Sequence, residues 1–277
     1  MLGKNYEFDL YRKYLIYFGT LFNDIHLVRK DAQGNNTHLI KVPISYAPKD
    51  KLLARISADP AIERKAAVVL PRMAFQSVGF SYDGSRALPT LNRNVVKHTT
   101  DADKLKYQYV PVPININWEL YIYVKNAFDG TKIMEQIIPF FKPEFTSTIE
   151  LIPEMNVNMD IPLAMGNMSY EDTYDGQFVA RRAIIWTIPF TMKAFFYGPV
   201  YEKPIIKFAN TNFVVASREE DINAGSLLES IQVKPGLTAN GEPTANASLS
   251  IDTGLIEVDD DFGYILTESG FIATSNT

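Results

Sequence analysis

Y-V-P-V-P-I-N-I-N-W-E-L-Y-I-Y-V, residues 109–124, is the stretch from which the fold is read. Val112, Ile114, Ile116, Trp118, Leu120, Ile122 and Val124 occupy every second position in it. Side chains alternate across an extended strand, so these seven share one face and predict a buried side. Asn115, Asn117, Glu119, Tyr121 and Tyr123 make up the other face. A face of that kind meets water, a partner or a covering helix. If it meets a partner, Tyr121 and Tyr123 are contact residues, because tyrosine offers a large amphipathic ring. At about 3.3 Å per residue the strand spans roughly 35 Å, well beyond the usual length of about 5–6 residues.

On the C-terminal side, Phe128-Asp129-Gly130-Thr131 predicts a turn and cap for a helix that buries Ile133, Met134, Ile137 and Ile138. Pro139 and Pro143 end that helix. Strands are expected at Thr146–Ile152 and Asn156–Met165, followed by a turn at Asp175-Gly176. Within 177–197, Ile184, Trp186, Ile188, Phe190 and Met192 alternate with Ile185, Thr187, Pro189 and Thr191, which predicts a second very long strand. Ile205–Val215 reads as a last one, and beyond Ser217 only I-E-V and Y-I-L look structured.

On the N-terminal side, Phe8, Tyr11, Leu15, Phe18 and Phe22 form one apolar stripe on a helix from Asp9 to Phe22, with Arg12 and Lys13 facing solvent. Gly19 weakens it slightly. Asp24–Lys30 and His38–Tyr46 predict a hairpin whose second strand Pro43 places at an edge or a bulge. A short helix through Ile56 and a strand from Val68 to Phe80, kinked at Pro71, come next. Residues 83–106 show no period and read either as a contact arm or as a segment disordered until it finds a partner. The fold class is α+β, a large mostly antiparallel or mixed β-sheet with a few packed helices.

The chain of 277 residues can bury a large core, and 46% apolar with 21% charged residues excludes wholesale disorder. The absence of cysteine excludes disulfides, thiol nucleophiles and thiolate zinc sites. Glu7 and Asp9 interrupt any export signal, and no apolar run reaches the roughly 18 residues of a membrane span. A protein made in the cytoplasm, with no membrane partner, is expected. Residues 217–277 carry eleven Asp and Glu and two cations, a net of −9, which leaves +4 for residues 1–216. An acidic extension of that kind argues against nucleic-acid binding there.

His26, His38 and His98 are too few and too scattered for a metal site. There is no dinucleotide fingerprint, phosphate loop or nucleophile elbow, and no carboxylate pair stands out for acid-base work. Asp261-Phe262-Gly263 copies a kinase tripeptide without the loops that give it meaning. No catalytic residue, cofactor or metal is expected. Arg72 at the kink and Arg181-Arg182 at the start of the second long strand offer rigid donor forks, which suit interfaces. With Arg12, Lys13, Tyr121 and Tyr123 they complete the expected contact residues.

Several stretches, in order, resemble one family, the tail sheath stabiliser and completion proteins of T4-like contractile-tailed bacteriophages. They are F-D-L-Y-R-K-Y-L-I-Y-F-G-T-L-F-N-D-I-H-L-V-R (8–29), I-K-V-P-I-S-Y-A-P-K-D-K-L (40–52), V-L-P-R-M (69–73) with F-S-Y (80–82), P-V-P-I-N-I-N-W-E-L-Y-I-Y (111–123), M-E-Q-I-I-P-F-F-K-P-E-F (134–145) and A-R-R-A-I-I-W-T-I-P-F-T-M (180–192). The resemblance implies a family-like core over 1–200 and a divergent acidic extension over 201–277. It also implies a virion subunit of a six-fold ring at the head-proximal end of the tail. The implied partners are copies of itself, the tail terminator, the sheath and the neck, with the genome passing through the ring without sequence-specific contact. The alternative, read from the tyrosines, is a β-rich virion module that binds a carbohydrate or receptor.

Overall fold

The computed structural model describes residues 5–30, 35–57, 69–101, 103–172, 183–215, 226–257 and 259–270. In chain order the elements begin with α1 (Leu10–Leu21), β1 (His26–Lys30), β2 (Asn36–Lys41), β3 (Ile44–Tyr46), α2 (Lys49–Ser57) and β4 (Arg72–Tyr82). β5 (Arg93–Lys97), β6 (Lys104–Tyr109), β7 (Val112–Val124), α3 (Ala127–Ile137), β8 (Glu144–Ile152) and β9 (Val157–Met165) follow. β10 (Ser169–Asp172), β11 (Ile184–Phe196), β12 (Tyr201–Pro204), β13 (Ala209–Val215), β14 (Ser226–Gly236) and β15 (Gly263–Ser269) complete the series. The chain divides into two units, Met1–Asn92 with Tyr109–Pro199, and Arg93–Gln108 with Val200–Thr277.

The first unit is organised on a seven-stranded sheet in the order β3-β4-β7-β11-β9-β8, with β10 also paired to β11. β3 runs parallel to β4 and the other pairs are antiparallel, so the sheet is mixed. The two long strands expected from period-two patterning are neighbours. β7 and β11 pair along their whole length, from Ile184 opposite Val124 to Phe196 opposite Val112. Two continuous apolar rows are thereby laid side by side on one face.

That face is covered by α1. The Phe18 ring stacks on Trp118 at 5.1 Å and lies 5.2 Å from Phe75 and 5.5 Å from Phe190. Gly19 is what allows the helix so close, since a Cβ there would sit 3.1 Å from Phe75 Cζ. The residue that weakens the helix as a peptide is a packing requirement in the fold. Tyr14 fixes the helix lengthwise, its hydroxyl donating to the Phe195 carbonyl at 2.6 Å.

α3 packs on the same face at the far end of β7. Asn126 caps it by accepting from the Phe128 N–H at 3.3 Å, so Phe128-Asp129-Gly130-Thr131 is the helix's first turn, not a turn before it. Ile133, Met134 and Ile137 are buried as expected.

The expected hairpin is β1 with β2 only. Ile44–Tyr46, read as part of its second strand, is a separate strand that pairs parallel with β4. The cause is Pro43, which has no N–H for the ladder and whose carbonyl accepts from Met73 N at 2.8 Å. β4 carries a bulge between Ser77 and Gly79. The bulge shifts the alternation by one, so Phe80 and Tyr82 fall on the same face as Met73 and Phe75.

The second unit holds two three-stranded sheets, β12-β6-β5 and β13-β14-β15. Residues 83–106, read as an unpatterned arm, contain a 3-10 turn at Gly84–Arg86, all of β5 and the start of β6. Beyond Ser217, β15 contains the Y-I-L run, β14 is a strand not anticipated there, and Ile256 and Glu257 of the I-E-V run lie in no strand. Part of the acidic stretch is used internally, since Lys97 Nζ lies 2.5 Å from Glu257 Oε2 and 3.2 Å from Asp259 Oδ1. Among the described residues no helix is long and apolar enough to cross a membrane.

Candidate functional site

The expected contact residues do not share one surface. Tyr121 and Tyr123 lie on the face opposite α1, and both are buried, at 2% and 0% exposure. They form a small second core with Ala74, Ala183 and Ile185, against which Ala47 and Leu53 pack. The Tyr123 hydroxyl donates to the Lys49 carbonyl at 3.2 Å, at the start of α2. The Tyr121 hydroxyl donates to Glu119 and accepts from Gln76 Nε2 at 2.6 Å. The tyrosine face is therefore an interior, and the feature that favoured a carbohydrate-binding module is not on the surface.

Lys13, placed toward solvent by helical periodicity, reaches back instead. Its Nζ donates to the Leu151 carbonyl at 2.6 Å and ties α1 to the end of β8. Arg12 is exposed, beside the Tyr6–Tyr11 segment. Arg72 is half-buried opposite Tyr123, and its Nε is buried without a hydrogen-bond partner among the described residues. Arg181 and Arg182 lie outside the described residues.

Three features of the first unit offer contact area that the sequence reading did not anticipate. The first is a pair of open sheet edges. β3 pairs only with Met73–Phe75, so the outer edge of β4 beyond Phe75 has no strand beside it among the described residues. Val78, Phe80 and Tyr82 are exposed along it. At the opposite end of the order, β8 has a neighbour on one side only among the described residues. Open edges are templates for a strand from another chain.

The second feature is an apolar cleft of about 650 Å³ between the ends of α1 and α3 and the start of β8. Phe22, Ile25, Phe140, Phe141 and Phe145 line it, with Asp24 and Glu135 at its rim. The Phe141 ring lies 5.1 Å from Phe190 and 6.2 Å from Phe145, which sets the floor. The third is the loop after β4, which shows Leu88 and Leu91 to solvent. Residues 134–145 hold the signal for the cleft, since I-I-P-F-F-K-P-E-F has more aromatics than one helix end can bury.

No group of three or more His, Cys, Asp or Glu that could hold a metal ion occurs among the described residues. The large pKa shifts belong to structural groups. Burial pushes the Tyr14, Tyr121 and Tyr123 hydroxyls up, and hydrogen bonds from Ser85 and Arg86 hold the Asp83 carboxyl at about 2. The arrangement offers edges and an apolar cleft, which suit protein contacts.

Residues 5–262 match the family described as the T4-like virus Myoviridae tail sheath stabiliser. The chain belongs to that family. It is also similar to the tail completion protein of Enterobacteria phage T4, with 29% identity over 227 residues, 79% of this chain and 82% of that one. As a member of the tail sheath stabilisers it is a structural component of the virion tail. The family match runs beyond residue 200, through β12, β13 and β14.

Proposed function

We propose that this chain closes the head-proximal end of a contractile tail. Copies of it form a six-fold ring on the tail terminator and the last sheath ring and present a platform to the neck and head. The observation that carries this reading is the family match over residues 5–262. The open edges of β4 and β8 support it, because an end-capping subunit has to meet several neighbours at once.

The physical logic follows from polymer ends. A helical tube or sheath grows through heterologous contacts, so its terminus always exposes an unsatisfied surface. A closed ring laid on that surface removes the place where subunits add or leave. The work is done by shape and contact, with no bond made or broken. In this reading Arg12, Arg72 and Arg181 or Arg182 donate to carboxylates of partner proteins, and the genome passes through the ring without base-specific contact.

Light scattering of the purified full chain, followed by imaging, tests the ring. Six copies in a closed ring are expected. A monomer at every concentration, both alone and with isolated tails, contradicts it.

A further inference from the structure

We infer that neighbouring copies are joined by strand addition, β15 of one subunit pairing with β13 of the next, so that the sheets β13-β14-β15 run on as one wall around the ring. This rests on the ring reading above. A closed ring of one chain needs two different surfaces that fit each other, because a surface that pairs with itself stops at a dimer. β13 and β15 are the two outer strands of one sheet, and among the described residues each pairs with β14 alone. Both are seven residues long.

These two edges are unguarded where the other edges among the described residues are blunted. A soluble protein blocks an open edge with lysine or other charges, with proline, with a bulge or by keeping the strand short. β1, β2 and β5 carry lysine or arginine, and β8 and β10 carry glutamate. β12 carries Glu202, Lys203 and Pro204, β4 has its bulge, and β3 is three residues long. β13, A-N-T-N-F-V-V, holds no charge and no proline, and β15, G-Y-I-L-T-E-S, holds Glu268 as its one charge. Residues 209–213 and 266–269 are all exposed. In a subunit that stayed single, such strands would template aggregation. In a ring they are the joint.

Strand direction fits a rotational repeat. β13 and β15 both run antiparallel to β14, so they share one direction. Rotation about a ring axis keeps every copy's strands in the same sense and every sheet's faces on the same side. β15 against the next β13 is then a parallel pair with evenly spaced hydrogen bonds, and each face of the sheet continues as the same face of its neighbour.

The side chains agree with that continuation. Phe213 lies opposite Glu229, Leu266 opposite Val233 and Tyr264 opposite Pro235, so Phe213, Leu266 and Tyr264 share one face. They are 48%, 58% and 69% exposed. Within one chain β14 separates Phe213 from the other two. The joint brings the two strands side by side on that face and covers apolar surface that water meets in the single subunit. Six copies of a three-stranded sheet put eighteen strands in the wall, and barrels of about 16–18 strands leave an aqueous channel. The passage of the genome in the ring reading needs such an opening.

The test compares the full chain as rings with the same chain diluted to single subunits, by hydrogen exchange read with mass spectrometry. Peptides covering Ala209–Val215 and Gly263–Ser269 should each slow by about tenfold or more at roughly half their amides in the ring, because a parallel joint bonds the outward amides that β14 does not. Cysteine pairs give an independent reading in a chain with no native cysteine. Thr267→Cys, combined in turn with Ala209→Cys, Asn210→Cys, Thr211→Cys and Asn212→Cys, should give for at least one pair a ladder of disulfide-linked multimers that neither single variant gives. Rings in which both strands exchange as in the single subunit, or in which no pair gives a ladder, overturn the joint and leave the ring reading standing. Dimers linked by Thr267→Cys alone mean that β15 pairs with itself, and slowing in one strand only means that another tail protein supplies the added strand; each overturns the joint. A wild-type chain that forms no ring, alone or on tails, overturns both.

Discussion

Arg29 holds Asp129 through two parallel bonds, Nη1 to Oδ1 at 2.5 Å and Nη2 to Oδ2 at 2.7 Å. Asp129 is only 4% exposed, in the first turn of α3, and Arg29 comes from β1. The pair therefore clamps the hairpin of β1 and β2 to α3. Fork-to-fork geometry makes it stronger than an ordinary surface pair.

Removing the arginine leaves a buried carboxylate without its partner. Arg29→Ala is expected to destabilise the chain by about 1–3 kcal/mol, below the full buried-pair penalty because the Arg29 side chain is 41% exposed. Urea unfolding measures it, and Arg29→Lys should recover only part, since an ammonium cannot make both bonds.

Gly130 sits against an indole. A Cβ there would lie 2.4 Å from Trp186 Nε1. Alanine would gain about 1 kcal/mol of helix propensity. Displacing a half-buried tryptophan held by Tyr170 at 4.8 Å costs about 1–3 kcal/mol. Gly130→Ala should therefore lower the urea midpoint despite its better propensity, with Trp186 fluorescence reporting the shift.

Legibility in the sequence tracked how each residue is buried. The strands 112–124 and 184–196 are readable because each has one face mostly in the core, so apolar side chains recur at period two. β5 and β6 are not, because R-N-V-V-K and K-L-K-Y-Q-Y sit in a small sheet with little interior and show no clean alternation. Tyr121 and Tyr123 were placed on the correct face but not recognised as interior. What covers them is α2, about seventy residues earlier in the chain, and cover is a tertiary fact. The Arg29–Asp129 clamp spans 100 residues and has no local signal. Lys13 defeated the periodicity argument in a different way, since a long stem lets an ammonium at the helix side reach a strand carbonyl.

The buried tyrosines set an alkaline limit. Burial holds Tyr17 and Tyr197 at about 12, and Tyr14, Tyr121 and Tyr123 are also raised above the ordinary value of roughly 10. The fold favours the neutral hydroxyl, so this stabilisation is complete below about pH 10 and drains as pH rises through the folded values. Unfolding is expected between about pH 10 and 12, with tyrosinate absorbance appearing together with loss of circular dichroism. Ionisation of all tyrosines near pH 10 in a folded chain would contradict it.

Asp83 behaves in the opposite sense. Hydrogen bonds from Ser85 and then from Arg86 hold its carboxyl at about 2, so the turn Gly84–Arg86 is fully supported above the ordinary aspartate value. That support is lost as pH falls from roughly 4 toward 2. Asp83→Asn should remove this acid dependence from hydrogen exchange at Arg86 and Ala87 while leaving neutral-pH exchange slightly faster.

Electron microscopy of lysates from an infection in which this chain is absent tests the central claim most directly. The account predicts filled heads without tails, and tails whose tube and sheath are unfinished or disassembling at the head-proximal end. Intact contractile particles with securely joined heads, at wild-type yield, would contradict it.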